Sequence, residues 1–133
     1  MSRVDWDAVA TTLARAPNVA AAWSFGSAKE GEIRPGGDVD VAVLFGESPT
    51  LEERADLRAN LQDALGIEAI DLVTLNNASA VLRFEAVSGR QLLCRNPQEC
   101  AAFVSLAARE YEDAIALAQR SLAYCTQRGP ASP

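Results

Sequence analysis

The sequence predicts an α/β domain in which a small sheet is packed with helices and a long helix forms the C-terminal part. Short segments rich in Val, Ala and Leu, typical of buried strands, alternate along the chain with segments of helical periodicity. With 133 residues, of which 49% are hydrophobic and 23% charged, the chain has the size and composition of one globular domain. We therefore expect a single domain over residues 1–126 and a disordered tail over residues 127–133.

The first half of the chain is predicted to contain two helices and two strands. Turn residues such as Pro17-Asn18 and Gly46 separate these elements, and Thr50 with Glu53 forms the capping-box pattern that begins a helix. The expected ranges are 5–16 and 50–66 for the helices, and 19–25 and 39–45 for the strands. Between the strands we expect one helical turn over 28–31 and a loop over 32–37, which contains Pro and two Gly.

The second half is predicted to continue as strand, helix, strand and helix. The expected ranges are 69–75 and 91–94 for the strands, and 77–88 and 97–124 for the helices. Asn96, Pro97 and Glu99 form a strong start for the last helix, with an N-cap, a proline at the first helical position and an acid at the third. Its apolar residues cover more than one narrow stripe, so either the sheet or another protein chain must bury them.

Composition excludes several classes of protein. A net charge of −6 and a pI near 4.6 argue against direct binding of nucleic acid, because recognition of its phosphates needs a basic surface. No apolar run is long enough to span a membrane, and the first residues lack the apolar core of a secretory signal. We therefore expect a cytoplasmic protein without a membrane partner.

Histidine and cysteine usage narrows the chemistry further. The chain has no histidine, which excludes His-based zinc sites and Ser-His-Asp or Cys-His catalysis. Its three cysteines, Cys94, Cys100 and Cys125, show no C-x-x-C spacing. An odd number of cysteines in a cytoplasmic chain predicts reduced, mostly buried thiols.

The most informative stretch connects the first two strands. The second strand opens with Asp38 and Asp40, whose side chains point to the same side because side chains alternate along a strand. Two carboxylates at the end of an apolar strand need a cation, and a divalent metal satisfies both. Gly26 lets backbone approach a ligand, and Ser27 offers an N–H and a hydroxyl, which together suit a phosphate. A metal beside a phosphate indicates a nucleoside triphosphate. The alternative is that Gly26 and Ser27 merely form a turn and that the two aspartates lie at a solvated strand start.

Asp71 is the one charged residue inside the apolar run of the third predicted strand. A carboxylate in such a run is informative, because aspartate is almost never buried without a partner. Two interpretations are open at this point. Asp71 either forms a salt bridge or lies at an exposed sheet edge, or it is a metal ligand presented from a strand next to Asp38 and Asp40.

The spacing of these residues resembles a known signature. Gly26-Ser27, ten intervening residues and Asp38-x-Asp40 are similar to the pattern of the minimal nucleotidyltransferases, a small branch of the polymerase-β-like superfamily. Arg34, inside the gap, also matches what the family often carries. The resemblance implies the polymerase-β-like nucleotidyltransferase fold, with a small mixed sheet.

The resemblance also implies roles for individual residues. The implied catalytic and metal-binding residues are Asp38, Asp40 and Asp71, and the implied nucleotide-binding residues are Gly26, Ser27 and Arg34. The three aspartates would hold two Mg²⁺ ions, and Asp71 would also help to remove the acceptor's proton. Gly26 and Ser27 would hold the β- and γ-phosphates of ATP, while Arg34 would neutralise charge on the departing pyrophosphate.

The acceptor of the nucleotide is expected to be another protein. Small-molecule transferases of this superfamily usually need an additional helical domain, for which 133 residues leave no room. The chain resembles the MntA-like antitoxins of MNT–HEPN toxin–antitoxin systems, which transfer AMP to a tyrosine of a HEPN ribonuclease. The resemblance implies a HEPN-type toxin as partner, with a second copy of the chain as a further possible partner.

Two other functions stay open. The chain could be a non-catalytic antitoxin that neutralises its partner by binding alone, or a small-molecule nucleotidyltransferase of the aminoglycoside type that needs a partner chain. Three costly carboxylates kept together argue against the first alternative. The missing substrate domain argues against the second.

Overall fold

The computed structural model describes residues 2–26, 32–33 and 39–128. The strands of its main sheet are β2 (Val19–Phe25), β4 (Val39–Phe45), β5 (Ile70–Thr74) and β6 (Arg90–Cys94). Their order across the sheet is β5-β4-β2-β6. β2 pairs antiparallel with both β4 and β6, whereas β4 pairs parallel with β5. The sheet is therefore mixed, as the resemblance implies.

The two central strands, β2 and β4, begin and end where the sequence predicts. Both are apolar along nearly their whole length and are covered by helices on both faces, so most of their side chains are buried. Trp23 on β2 and Val41 on β4 are each at most 1% exposed. Asp40, at the start of β4, is only half-buried. The apolar strands thus carry their charged residue at one end.

Helices α1 (Trp6–Ala14) and α2 (Leu51–Leu65) cover one face of the sheet. The predicted capping box at the start of α2 is present, since Thr50 accepts a hydrogen bond from the Glu53 amide and Glu53 accepts one from the Thr50 amide. Gly66 ends α2 with a φ of 65°, a conformation that favours glycine. The core on this face includes Val9, Leu13, Val41, Leu57, Leu61 and Ile70.

Helices α3 (Ala80–Val87) and α4 (Pro97–Arg128) cover the opposite face. Phe103 of α4 stacks on Trp23 of the sheet, with ring centroids 5.9 Å apart. Arg83 of α3 donates hydrogen bonds to the carbonyls of Leu75 and Asn76, and its guanidinium lies 5.6 Å from the centroid of the Phe103 ring. These contacts fix both helices to the end of β5.

The last helix, α4, is longer than predicted. Its N-cap is confirmed, because the side-chain oxygen of Asn96 accepts hydrogen bonds from two amides of the first turn. The helix continues to Arg128, past the predicted end at residue 124 and into the predicted tail, of which residues 129–133 lie outside the described residues. Its exposed large apolar side chains are Leu106, Ile115, Leu117 and Leu122. The sheet therefore buries only part of the apolar surface of α4.

No helix in the described part of the chain combines the length and the apolarity needed to cross a membrane.

Two local predictions are wrong. Glu32–Ile33 was expected to be loop, but it forms strand β3, which pairs antiparallel with β1 (Ser2–Arg3). Cys94 and Cys100 were expected to be free thiols, but they form a disulfide between the end of β6 and the first turn of α4. The tight connection between these elements brings their Cα atoms to 6.4 Å, within the usual range for a disulfide.

Candidate active site

The fold places Asp40 and Asp71 side by side. They are directly paired in the parallel register of β4 and β5, although they are 31 residues apart in the chain. Paired residues on neighbouring strands point to the same face, and such strands lie roughly 5 Å apart. Their neighbours Val39 and Ile70 point the other way, into the core between the sheet and helices α1 and α2. The two carboxylates therefore share one face at one end of the sheet.

Gly26 lies on the other side of Asp40. β2 and β4 are antiparallel and Phe25 pairs with Asp40, so the chain leaves β2 directly beside this carboxylate. Gly26 has a φ of 78°, which strongly favours glycine, and a Cβ atom at this position would overlap the Oδ2 atom of Asp40. The sequence suggested that Gly26 gives room to a ligand. The structure shows in addition that Gly26 gives room to the Asp40 carboxylate.

The two aspartates differ in burial. Asp40 is half-buried, whereas Asp71 is exposed on β5, the edge strand of the sheet. The exposed sheet edge that one interpretation predicted for Asp71 is therefore confirmed. The ion pair that the structure shows within its described ranges joins Arg83 to Glu110 and does not involve Asp71. An exposed carboxylate beside a second one favours an incoming cation.

Three of the predicted residues fall where the structure makes no statement. Asp38, Ser27 and Arg34 lie outside the described residues, so their roles stay predictions from the sequence. Asp38 precedes Asp40 by two positions, and the alternation of a strand predicts that its side chain points to the same face. Within the described ranges, no cluster of three or more metal-ligating side chains is present.

The residues present are chemically suited to Mg²⁺. This ion prefers carboxylate oxygens and is usually held by one or two carboxylates together with substrate phosphates. Asp40 and Asp71 supply two adjacent carboxylates on one face, and the exposed Gly26 lies directly beside Asp40. The donor set contains neither imidazole nor thiolate, the ligands typical of zinc and copper.

The structure shows two arginines on α2, which covers the face of the sheet opposite the one that Asp40 and Asp71 share. Arg54 and Arg58 on α2 line a groove together with Asp71. Their spacing of four residues shows that they share one side of the helix, which is a signal available from the sequence. The sequence does not show which flank of α2 faces β5, so their proximity to Asp71 becomes visible only in the structure.

A known protein family matches most of the chain. The family model described as polymerase beta, nucleotidyltransferase, matches residues 7–98, which include Gly26, Asp40 and Asp71. No curated protein shows significant similarity to the chain.

Solved structures of toxin–antitoxin complexes are similar to the whole fold. One is an MntA–HpeT complex in which two aspartates, two positions apart, are replaced by glutamate. Its similar chain has a TM-score of 0.77 and 26% identity, and the match covers 90% of this chain and 96% of that chain. A second, a toxin–antitoxin complex with AMP-PNP, has a TM-score of 0.75 at 26% identity with the same coverage. A third is a tri-AMPylated HEPN toxin from Shewanella oneidensis with its MNT antitoxin, with a TM-score of 0.67 at 24% identity, covering 88% of this chain and 95% of that one. At that identity the likeness to the third structure concerns the fold.

Proposed function

The chain belongs to the polymerase β nucleotidyltransferase family, and on this premise we propose that it transfers AMP from ATP to a hydroxyl group of a HEPN-type toxin. The acceptor group is a tyrosine, and the transfer silences the toxin, so the chain acts as an antitoxin. The observation that carries the proposal is the direct pairing of Asp40 with Asp71, next to the close approach of Gly26.

The aspartates have different roles in the transfer. Asp38, Asp40 and Asp71 would hold Mg²⁺, and Asp71 also faces the acceptor. When bound, two Mg²⁺ ions would neutralise the triphosphate and lower the pKa of the acceptor hydroxyl. The Asp71 carboxylate lies at the exposed edge of the sheet, where an acceptor on another protein can reach it and can give up its proton.

Gly26, Ser27 and Arg34 hold the triphosphate end of ATP. Gly26 is exposed beside Asp40, and the backbone N–H and hydroxyl of the following serine suit the β- and γ-phosphates. Arg34 neutralises charge on the departing pyrophosphate. The AMP-PNP in a similar toxin–antitoxin complex supports ATP as the donor.

One finding supports a protein acceptor. The chain covers nearly the full length of the similar chains, which come from toxin–antitoxin complexes. Neither alternative from the sequence is favoured: binding alone needs no adjacent carboxylates, and no similar structure described above is of a small-molecule transferase.

The test is transfer of label from α-labelled ATP to the HEPN-type partner with Mg²⁺ present. Replacing Asp38→Asn and Asp40→Asn keeps the side-chain shape but removes the charges that hold the metal, so we expect transfer to fall by about 100-fold or more. Asp63→Asn, which neutralises an exposed aspartate at the far side of α2, is the matched control and should transfer like wild type. A double variant within a few-fold of wild type would refute the metal site.

A further inference from the structure

The N-terminal strand β1 lies against the segment that connects Gly26 with Val39. It pairs antiparallel with β3 (Glu32–Ile33), which is the part of this connecting segment that the structure describes. Ser2 is paired with Ile33, and Arg3 is paired with Glu32. The connecting segment is therefore attached to the rest of the molecule not only at its two ends but also between them.

β1 is fixed because the residues that follow it are anchored. Val4 and Trp6 are only 8% and 9% exposed, and both belong to the core between the sheet and helices α1 and α2. Val39, the first residue of β4, belongs to the same core. Asp5 caps α1, because its side chain accepts a hydrogen bond from the Ala8 amide at 3.1 Å. β1 therefore leads directly into a helix that is packed on the sheet.

Trp6 holds this anchor by packing and not by a hydrogen bond. Its Nε1 atom is buried and has no hydrogen-bond partner among the described residues. The Arg90 guanidinium lies 5.5 Å from the centroid of the Trp6 ring, which is within the range of a cation–π interaction. Arg90 begins β6 and pairs with Ser24 of β2, two residues before Gly26. The anchor of β1 thus lies at the same end of the sheet as Gly26.

The pairing of β1 with β3 restrains a segment that carries predicted nucleotide-binding residues. Two strands of two residues are not stable by themselves, so this pair depends on its tethers to α1 and to the central strands. Ser27 precedes β3 by five residues, and Arg34 follows Ile33 directly in the sequence. Because consecutive Cα atoms are about 3.8 Å apart, fixing the backbone of Ile33 limits the positions that are open to Arg34.

Resting on the proposed function, we propose that β1 is a positioning element, whose pairing with β3 holds Arg34 where its guanidinium meets the departing pyrophosphate. A cationic group stabilises a developing charge most effectively when it is held in place before the reaction. Arg34 remains the residue that contacts the phosphates, and β1 acts through it without contacting the substrate.

The experiment breaks the strand pairing and leaves the anchor intact. In the variant S2P/R3P, both residues of β1 lose their backbone N–H groups, so the strand can no longer donate hydrogen bonds to β3. The matched control S2A/R3A changes the same two residues but keeps these N–H groups. Hydrogen exchange of the Glu32 and Ile33 amides reports the pairing, and it should be faster in S2P/R3P than in wild type and in the control.

The kinetic readout is AMP transfer to the HEPN-type partner with saturating Mg²⁺. S2P/R3P should lower kcat by about 10-fold or more, because the group that stabilises the leaving charge is misplaced. The KM for ATP should change less than kcat, since this charge develops only in the transition state. S2A/R3A should transfer like wild type. The melting temperature of S2P/R3P should stay close to that of wild type, because Val4 and Trp6 are unchanged.

A double-variant comparison distinguishes positioning from a merely structural role. In an Arg34→Ala background, S2P/R3P should cause no further loss of kcat, because β1 then has no guanidinium to position. A strand that only stabilises the fold would instead lower transfer by the same factor in both backgrounds.

The outcomes separate this inference from the proposed function. Equal losses in S2P/R3P and S2A/R3A, no loss in either, or a further loss in the Arg34→Ala background would each overturn the inference. Amides of β3 that exchange as fast in wild type as in S2P/R3P would also overturn it. In all these cases transfer by the wild-type chain leaves the proposed function intact. A wild-type chain that transfers no AMP refutes the proposed function, and this inference with it.

Discussion

The two ends of the central strands use their polar residues differently. At the end where β2 begins and β4 stops, polar side chains are bound to the backbone. Asn76 donates a hydrogen bond to the Phe45 carbonyl at 2.8 Å and accepts one from the Phe45 amide at 3.0 Å. Arg95 donates to the carbonyls of Ala14, Ala16 and Val19 and so ties the end of α1 to the start of β2.

At the opposite end, Asp71 is exposed and lies directly beside Asp40. Within the described ranges Asp71 forms no ion pair. Two neighbouring carboxylates repel each other until a cation binds, so this arrangement is less stable than a neutral one. The difference indicates that one end of the sheet serves stability and the other serves binding. Substitutions at the two ends should therefore affect different measurements.

The largest effect is expected for Asp71→Asn. This change keeps the size of the side chain but removes a charge that binds metal and accepts a proton, so AMP transfer should fall by about 100-fold or more. The melting temperature should fall little, because Asp71 is exposed. The assay is label transfer from ATP, with Glu68→Gln as a control for loss of a nearby exposed charge. Transfer close to that of the control would show that Asp71 is merely an edge residue.

Asn76→Ala should show the reverse pattern. It leaves the amide and carbonyl of Phe45 without their partner in a partly buried place, which costs about 1–3 kcal/mol of unfolding free energy. Urea denaturation measures this loss. The unfolding free energy of Asn76→Asp, which keeps only the accepting oxygen, should lie between those of wild type and Asn76→Ala. Transfer by the folded fraction should stay within a few-fold of wild type. A large loss of transfer without loss of stability would contradict the conclusion that this end of the sheet serves stability and the other end serves binding.

The smallest effect is expected from ligands on the unaltered chain. Clustered carboxylates repel each other until a cation binds, so Mg²⁺ with ATP should raise the melting temperature, on the order of 5 °C at saturation. Mg²⁺ with AMP should raise it much less, because AMP lacks the β- and γ-phosphates proposed to contact Gly26 and Ser27. The Asp38→Asn/Asp40→Asn variant should show neither shift. Equal shifts with AMP and ATP would indicate a module that recognises only the nucleoside.

Much of the fold could be predicted because its elements are marked by local chemistry. β2 and β4 are long apolar segments between turn residues, and α2 and α4 begin at strong caps formed by Thr50 and Asn96. The pairing of β1 with β3 could not be predicted, because strands of two residues carry no periodicity. The disulfide between Cys94 and Cys100 depends on how closely α4 follows β6, which spacing alone does not show.

For the site, the sequence predicts which single residues belong to it but not how they are arranged. The types and spacing of Asp40 and Gly26 indicated a metal beside a phosphate. Their direct contact, however, follows from the antiparallel register of β2 and β4, and the pairing of Asp40 with Asp71 follows from the parallel register of β4 and β5. Register is a property of the assembled sheet, and the groove formed by Arg54 and Arg58 depends in addition on the orientation of α2.

The parallel pairing of β4 with β5 has a consequence for folding kinetics. Asp40 and Asp71 meet only after the crossover through α2 has closed, since parallel neighbours cannot be joined by a tight turn. β2 and β4 can pair earlier, because a much shorter connection separates them. If the pairing of β2 with β4 forms the folding nucleus, the pairing of β4 with β5 follows the transition state of folding. The site is then completed late. A ligand held by both carboxylates should then slow unfolding and leave the rate of folding nearly unchanged.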